Sequence, residues 1–167
     1  SLLPRGAISG QKIQFFLQTA TSERVQTKNF DELPIPFRAI AADIVTGKPV
    51  VISQGDLATA MRASMSIPGL FSPIEFQGHL LVDGGIVNNL PVNVVQGMGA
   101  DILIAVDVGT PLYTRAELTD FVSITSQLSG IMVVNNTERQ ASLLTPQDVL
   151  IVPNLGSEIT SVDFAKI

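Results

Sequence analysis

Three aspartates stand at the ends of apolar runs of strand length. Asp43 closes residues 37–42, Asp83 closes Leu80-Leu81-Val82, and Asp107 closes residues 102–106. In open α/β sheets ligands bind at the carboxyl ends of strands. A carboxylate placed there can take a proton from a substrate or a nucleophile. The plainer account is that Asp closes strands because its side chain caps the following turn. What sets Asp83 apart is the sequence after it, Asp83-Gly84-Gly85-Ile86-Val87-Asn88-Asn89-Leu90-Pro91. Two glycines directly behind a buried strand allow backbone geometry that side chains forbid.

A carboxylate acting as general base needs something to deprotonate. No Gly-x-Ser-x-Gly pentapeptide occurs in the chain. In Gly6-Ala7-Ile8-Ser9-Gly10 the serine is displaced, and Ser9 is expected to cap a helix. Ser64 and Ser66 fall at the end of another helix and are expected to be structural. The single histidine, His79, lies four residues before Asp83 in a Gln77-Gly78-His79 turn, where an exposed turn residue is expected. A Ser-Asp-His chain order is excluded, because no histidine follows Asp83. With no cysteine and one histidine there are no disulfides, thiolate sites or multi-histidine metal sites. Gly-x-Gly-x-x-Gly, Gly-x-x-x-x-Gly-Lys-Ser/Thr and His-Glu-x-x-His are all missing, so no cofactor is expected.

The elements that must hold these residues can be read from periodicity. Hydrophobic residues make up 46% of the 167-residue chain and charged residues 15%, which fits one domain with a real core. The net charge of −5 argues against a nucleic-acid partner. An amphipathic helix is expected through Ile13, Phe16, Leu17 and Ala20. Strands are expected at residues 37–42 and 50–52, joined by a turn at Thr46-Gly47-Lys48. Ser53 and Asp56 announce a helix with Leu57, Met61, Ser64 and Met65 on its face. A hairpin is expected over residues 74–82, a helix behind Pro91, a strand at 102–106, a long helix over 118–143 and a last strand at 149–152. Strands alternating with helices predict an α/β, three-layer α/β/α sandwich with a mainly parallel central sheet, incomplete in this chain. No apolar stretch approaches the ~20 residues that span a bilayer. The opening Ser1-Leu2-Leu3-Pro4-Arg5-Gly6 has no initiator Met and no signal pattern, so the chain reads as a piece of a longer protein.

The ordered set of segments resembles the C-terminal part of the catalytic domain of bacterial patatin-like phospholipases. The resemblance rests on Leu33-Pro34-Ile35-Pro36-Phe37-Arg38-Ala39, Thr46-Gly47-Lys48-Pro49-Val50-Val51, Ala63-Ser64-Met65-Ser66-Ile67-Pro68-Gly69-Leu70-Phe71, Asp83-Gly84-Gly85 and residues 99–107, and covers most of residues 1–155. Ala42 departs from it, where many relatives have Thr. It implies a lipid acyl hydrolase with a Ser-Asp dyad, in which Asp83 is the catalytic base and Gly84 and Gly85 form the turn after it. The nucleophile is then none of this chain's residues: it would sit on an upstream Gly-x-Ser-x-Gly segment of the same protein, with a glycine-rich oxyanion loop further upstream. Substrates would be phospholipids or other fatty acyl esters, with no metal. Bacterial relatives include cytoplasmic proteins and passengers of outer-membrane autotransporters, so the compartment stays open. Two other readings compete. One is a catalytically inactive patatin-like module that binds lipid or regulates. The other, with least support, is a metal-dependent phosphotransferase using Asp43, Asp83 and Asp107.

One further expectation concerns the long helix. Leu118, Phe121, Val122, Thr125, Leu128 and Met132 form a stripe, while Ile124, Ile131, Val133 and Val134 point elsewhere around the axis. At least two of those four are expected to be exposed, as a homodimer or lipid-facing patch. The polar tail Asn135-Asn136-Thr137-Glu138-Arg139-Gln140 is expected to return the helix to solvent.

Overall fold

A computed structural model describes residues 10–109 and 111–154. By contacts the chain divides into two compact units, Ser1–Val87 and Asn88–Ile167.

In the first unit, α1 (Gln11–Ala20) leads through two 3₁₀ turns to β1 (Ala39–Asp43) and β2 (Lys48–Ile52). The N-cap position of α1 is Gly10, and the cap expected at Ser9 lies outside the described residues. Of the predicted α1 stripe only Leu17 is buried, and Phe16 is exposed. Next come α2 (Leu57–Ser64), β3 (Ile74–Phe76) and β4 (His79–Asp83). Asp56 caps α2, accepting the Thr59 N–H at 2.8 Å. The four strands form a sheet in the order β2-β1-β4-β3. All three of its pairings are antiparallel.

The α/β class is as expected. The mainly parallel pairing is not, since this sheet is antiparallel throughout. The reason lies in two tight connections. Strands joined by a few residues can only pair antiparallel, because a parallel partner needs a crossover of a dozen or more. Gln77 and Gly78, both with positive φ (51° and 81°), turn β3 into β4. That is the pair of left-handed residues a two-residue hairpin requires. The core of this unit is Phe30, Ala39, Ala41, Ile52, Ala60, Ala63 and Leu81. Alanines on α2 let the helix lie close against β1 and β4. The fully buried face of α2 is therefore Ala58, Ala60, Arg62 and Ala63; of the predicted face, Leu57 packs against this core, and Leu57, Met61, Ser64 and Met65 are all only half-buried.

The second unit contains α4 (Val92–Gly97), β5 (Ile104–Val106), α5 (Phe121–Ala141) and β6 (Val149–Ile151); a single helical turn, α3 (Gly85–Asn88), precedes α4. Parallel pairing occurs here: β5 and β6 run side by side with Ile104 opposite Val149. The core is Leu90, Val92 and Leu103 with Ala105, Ala141 and Leu144. Asp120 and Ser123 form a capping box that starts α5.

The tail of α5 meets the expectation only in part: Asn135, Glu138 and Arg139 are exposed. Asn136, Thr137 and Gln140 are buried rather than returned to solvent. Asn136 accepts the Asn89 N–H at 2.7 Å, Thr137 the Asn89 side-chain amide at 3.1 Å, and Gln140 the Asn93 N–H at 3.0 Å. Gln140 is inside because the Asn93 N–H, in the first turn of α4, has no partner within its own helix, and Asn136 and Thr137 serve donors of Asn89 in the segment before it. At the other end Phe121, Val122, Leu128 and Met132 are exposed. Ile124 and Ile131 are exposed as well (51% and 38%), which meets the expectation of two of four, and Val133 and Val134 are half-buried.

Candidate active site

Asp83 is the last residue of β4, at the carboxyl end of a strand as expected. It stands opposite Ala41 on β1, while Asp43 stands opposite Leu81. Directly opposed residues share a face, and residues two apart along a strand share it too. Asp43 and Asp83 therefore lie on one face at the two ends of the β1–β4 ladder, with the fully buried Ala41 and Leu81 between them. They are not a proton-sharing pair.

The surroundings of Asp83 come from three directions. Its N–H donates to the Ser66 carbonyl at 2.9 Å, just beyond the end of α2. Its Oδ1 accepts the Gly85 N–H at 2.7 Å. Gly84 then passes so close to β1 that a Cβ there would stand 2.6 Å from the Ile40 carbonyl carbon and closer still to its oxygen. The φ of neither glycine is positive. Gly84 is needed for close approach rather than for an unusual backbone angle. Burial pushes the Asp83 carboxyl up from its ordinary value, against the lowering pull of the Gly85 N–H. Among the described residues no donor reaches its second oxygen.

The other strand-end aspartates serve turns. Asp43 Oδ1 accepts the Val45 N–H at 3.0 Å, and Oδ2 accepts the Thr46 hydroxyl at 3.0 Å. Asp107 accepts the Gly109 N–H at 2.8 Å and belongs to the second unit. His79 is exposed as expected, but it lies just past the turn and has a partner. It is the first residue of β4, half exposed, with Nδ1 3.1 Å from Asp43 Oδ2. A pocket of about 580 Å³ opens beside this pair, lined also by Thr46, Glu75 and Phe76; Asp83 is not part of its lining. Among the described residues no three His, Cys, Asp or Glu side chains are grouped to hold a metal ion. Nor is any helix among them long and apolar enough to cross a membrane.

Asp43 carries a pH signature. The hydrogen bond from His79, then those from Val45 and Thr46, hold its carboxyl below the ordinary value. A depressed folded pKa contributes stability that is present above the unfolded value of 3.8 and lost as pH falls through the folded one. An Asp43→Asn variant cannot lose that contribution. Its melting temperature should fall less than that of the parent between about pH 4 and about pH 2. Parallel melting curves over that range would refute this account of the turn.

The residue that periodicity missed is Arg62. It sits on the inner face of α2, 1% exposed, where a stripe of alanines gives no hint of a cation. Its Nη1 donates to Ser66 Oγ at 2.6 Å. The one available signal was spacing: Ser66 follows Arg62 by one helical turn.

A family model for patatin-like phospholipase matches residues 2–95. That is more than half of the chain and includes Asp83, Gly84 and Gly85. The chain belongs to the patatin-like phospholipase family. It is 46% identical over 78 residues to Mb1092c, an uncharacterized NTE family protein of Mycobacterium bovis, a match spanning 47% of this chain and 22% of that protein. It is 39% identical over 114 residues to mouse patatin-like phospholipase domain-containing protein 7, covering 67% of this chain and 8% of the relative. It is 33% identical over 160 residues to the patatin-like phospholipase domain-containing protein ZK370.4 of Caenorhabditis elegans, covering 95% of this chain and 11% of the relative. The chain thus spans less than a quarter of the length of these curated relatives. The likeness extends to animal as well as mycobacterial proteins, which widens the bacterial resemblance of the sequence.

Proposed function

We propose that this chain supplies the general base, Asp83, of a Ser-Asp dyad in a lipid acyl hydrolase, and that the serine lies on a Gly-x-Ser-x-Gly segment of the same protein outside residues 1–167. The observation that carries the reading is the state of Asp83. It is a half-buried strand-end carboxylate with one oxygen held by the Gly85 N–H and the other without a donor among the described residues. An ordinary aspartate is too weakly basic to deprotonate a serine efficiently. Burial that raises its pKa moves it toward the useful range. Asp83 would accept the serine proton as the hydroxyl attacks the ester carbonyl, and the proton would leave with the alcohol. A water, deprotonated the same way, would release the fatty acid from the acyl-serine. The substrates are phospholipids or simpler fatty acyl esters. The exposed apolar side of α5, with Ile124 and Ile131, supports contact with a lipid surface or a second copy.

The alternative, a patatin-like module that binds lipid without cleaving it, separates from this reading in one experiment. The complete protein is treated with a fluorophosphonate probe, which phosphonylates an activated serine. Labelling of one serine within a Gly-x-Ser-x-Gly sequence is expected. A complete protein that takes no label would favour the inactive module. The polypeptide of residues 1–167 alone should turn over no short-chain nitrophenyl ester, and turnover by it would overturn the division of the dyad.

A further inference from the structure

We infer that Arg62 is a positioning residue for Asp83, acting through Ser66; the inference rests on the Ser-Asp reading above. The link is continuous. Arg62 Nη1 donates to Ser66 Oγ at 2.6 Å, and the same hydroxyl donates to the Arg62 carbonyl at 2.7 Å. The Ser66 N–H donates to the Ala63 carbonyl at 3.1 Å. The Ser66 carbonyl accepts the Asp83 N–H at 2.9 Å. Every polar group of Ser66 is thus engaged, three of them in tying it to the end of α2 and the fourth in holding Asp83. Both Arg62 and Ser66 are buried, at 1% and 0% exposure, so water does not compete for these bonds.

The guanidinium is itself held in place. The Phe71 ring lies under it, 4.6 Å from the guanidinium carbon to the ring centroid. Gly10 also packs against it, so closely that a Cβ at position 10 would overlap Nη2. Among the described residues Nη2 has no hydrogen-bond partner. Ser66 is therefore the side-chain acceptor on which this buried cation depends, and a planar, rigid donor suits that task better than a lysine ammonium. A cation in the last turn of α2 also complements the helix dipole. The core could have been filled by an apolar side chain in that place. A charge is buried there instead, bonded to the residue whose carbonyl accepts the Asp83 N–H.

The test uses ester hydrolysis by the complete protein, with kcat referred to active sites titrated by the fluorophosphonate probe. Ser66→Ala and Arg62→Met should each lower kcat by about 100-fold, the size of effect a displaced catalytic group produces. KM should stay within about threefold, because substrate binding is untouched. Arg62→Lys, which keeps the charge and the fold more gently, should lose about 10-fold. The deciding measurement repeats Ser66→Ala in an Asp83→Asn background. A residue acting through Asp83 has nothing left to position there, so the residual rate should change by less than about twofold. An equal loss in both backgrounds, or wild-type kcat per titrated site with only a lower melting temperature, would show a purely structural role and overturn the inference. If Asp83→Asn alone keeps full turnover, the dyad reading fails and this one with it. Loss in Asp83→Asn with none in Ser66→Ala or Arg62→Lys sinks only the positioning role.

Discussion

Replacement of Asp83 by Asn in the complete protein should lower ester hydrolysis by about 10²–10⁴-fold, the usual consequence of losing a general base, and should raise the melting temperature. The two effects have one cause. Burial raises the folded pKa of Asp83, so its ionised form is disfavoured by the fold. A raised folded pKa contributes stability that is present below the unfolded value of 3.8 and lost as pH rises through the folded value. At neutral pH that contribution is gone and the buried charge works against folding. Asparagine keeps the shape and an oxygen for the Gly85 N–H, but carries neither the charge nor the basicity. The gain should vanish when the two proteins are melted below about pH 4, where Asp83 is protonated in both states. Near-wild-type turnover of a nitrophenyl ester by the variant would remove Asp83 from the mechanism. A lower melting temperature at neutral pH would refute the electrostatic account while leaving the catalytic one standing.

The second large effect is expected at Gly84. A Cβ there would meet the Ile40 carbonyl, which is backbone and belongs to β1. A flexible side chain could swing aside; a strand carbonyl held in a ladder cannot. Gly84→Ala should therefore cost about 3 kcal/mol, at the upper end of ordinary overpacking. The strain can be relieved by moving the chain behind Asp83, which carries the carboxylate with it. Displacement of a catalytic group by about 1 Å is enough for a 100-fold loss of rate. Urea unfolding and kcat/KM of the same preparation measure both. A variant with parental stability and activity would mean that β1 and the Asp83 turn are not packed as described.

Much of this was legible in the sequence, and most of the parts that were not share a cause. Asp83 at a strand end followed from three apolar residues and two glycines, and the start of α2 from the Ser53–Asp56 pair, although the N-cap is Asp56 and not Ser53. Both are local facts, decided within one turn or one strand. The antiparallel sheet was half legible, since Gln77-Gly78 and Thr46-Gly47-Lys48 announce tight turns, yet alternation of strands and helices suggested parallel order. Arg62, the His79–Asp43 pair and the buried tail of α5 were not legible. The pair and the tail are decided by partners far along the chain: Asn136 is buried for the N–H of Asn89, 47 residues away. Arg62 bonds Ser66 only one helical turn on, and was hidden instead by the alanines around it. Periodicity tells which side of an element is apolar. It does not tell which buried backbone donors elsewhere will need an oxygen.

The Gly84–Ile40 contact has a meaning for how the sheet assembles. β1–β2 and β3–β4 are hairpins, each able to form from neighbouring residues, while β1 and β4 meet only when the two hairpins dock. Docking has several conceivable alignments, and a slip by one residue turns every side chain to the opposite face. Slipped one way, the tight spot at Ile40 would receive Asp83, whose Cβ would collide with backbone. Slipped the other way it would receive Gly85, which has no Cβ, and that alignment is refused only because it turns the apolar side chains of β4 away from the core. Gly84 thus works as a one-sided proofreading key during folding. On this account, the refolding of Gly84→Ala should be slowed more than its unfolding is hastened.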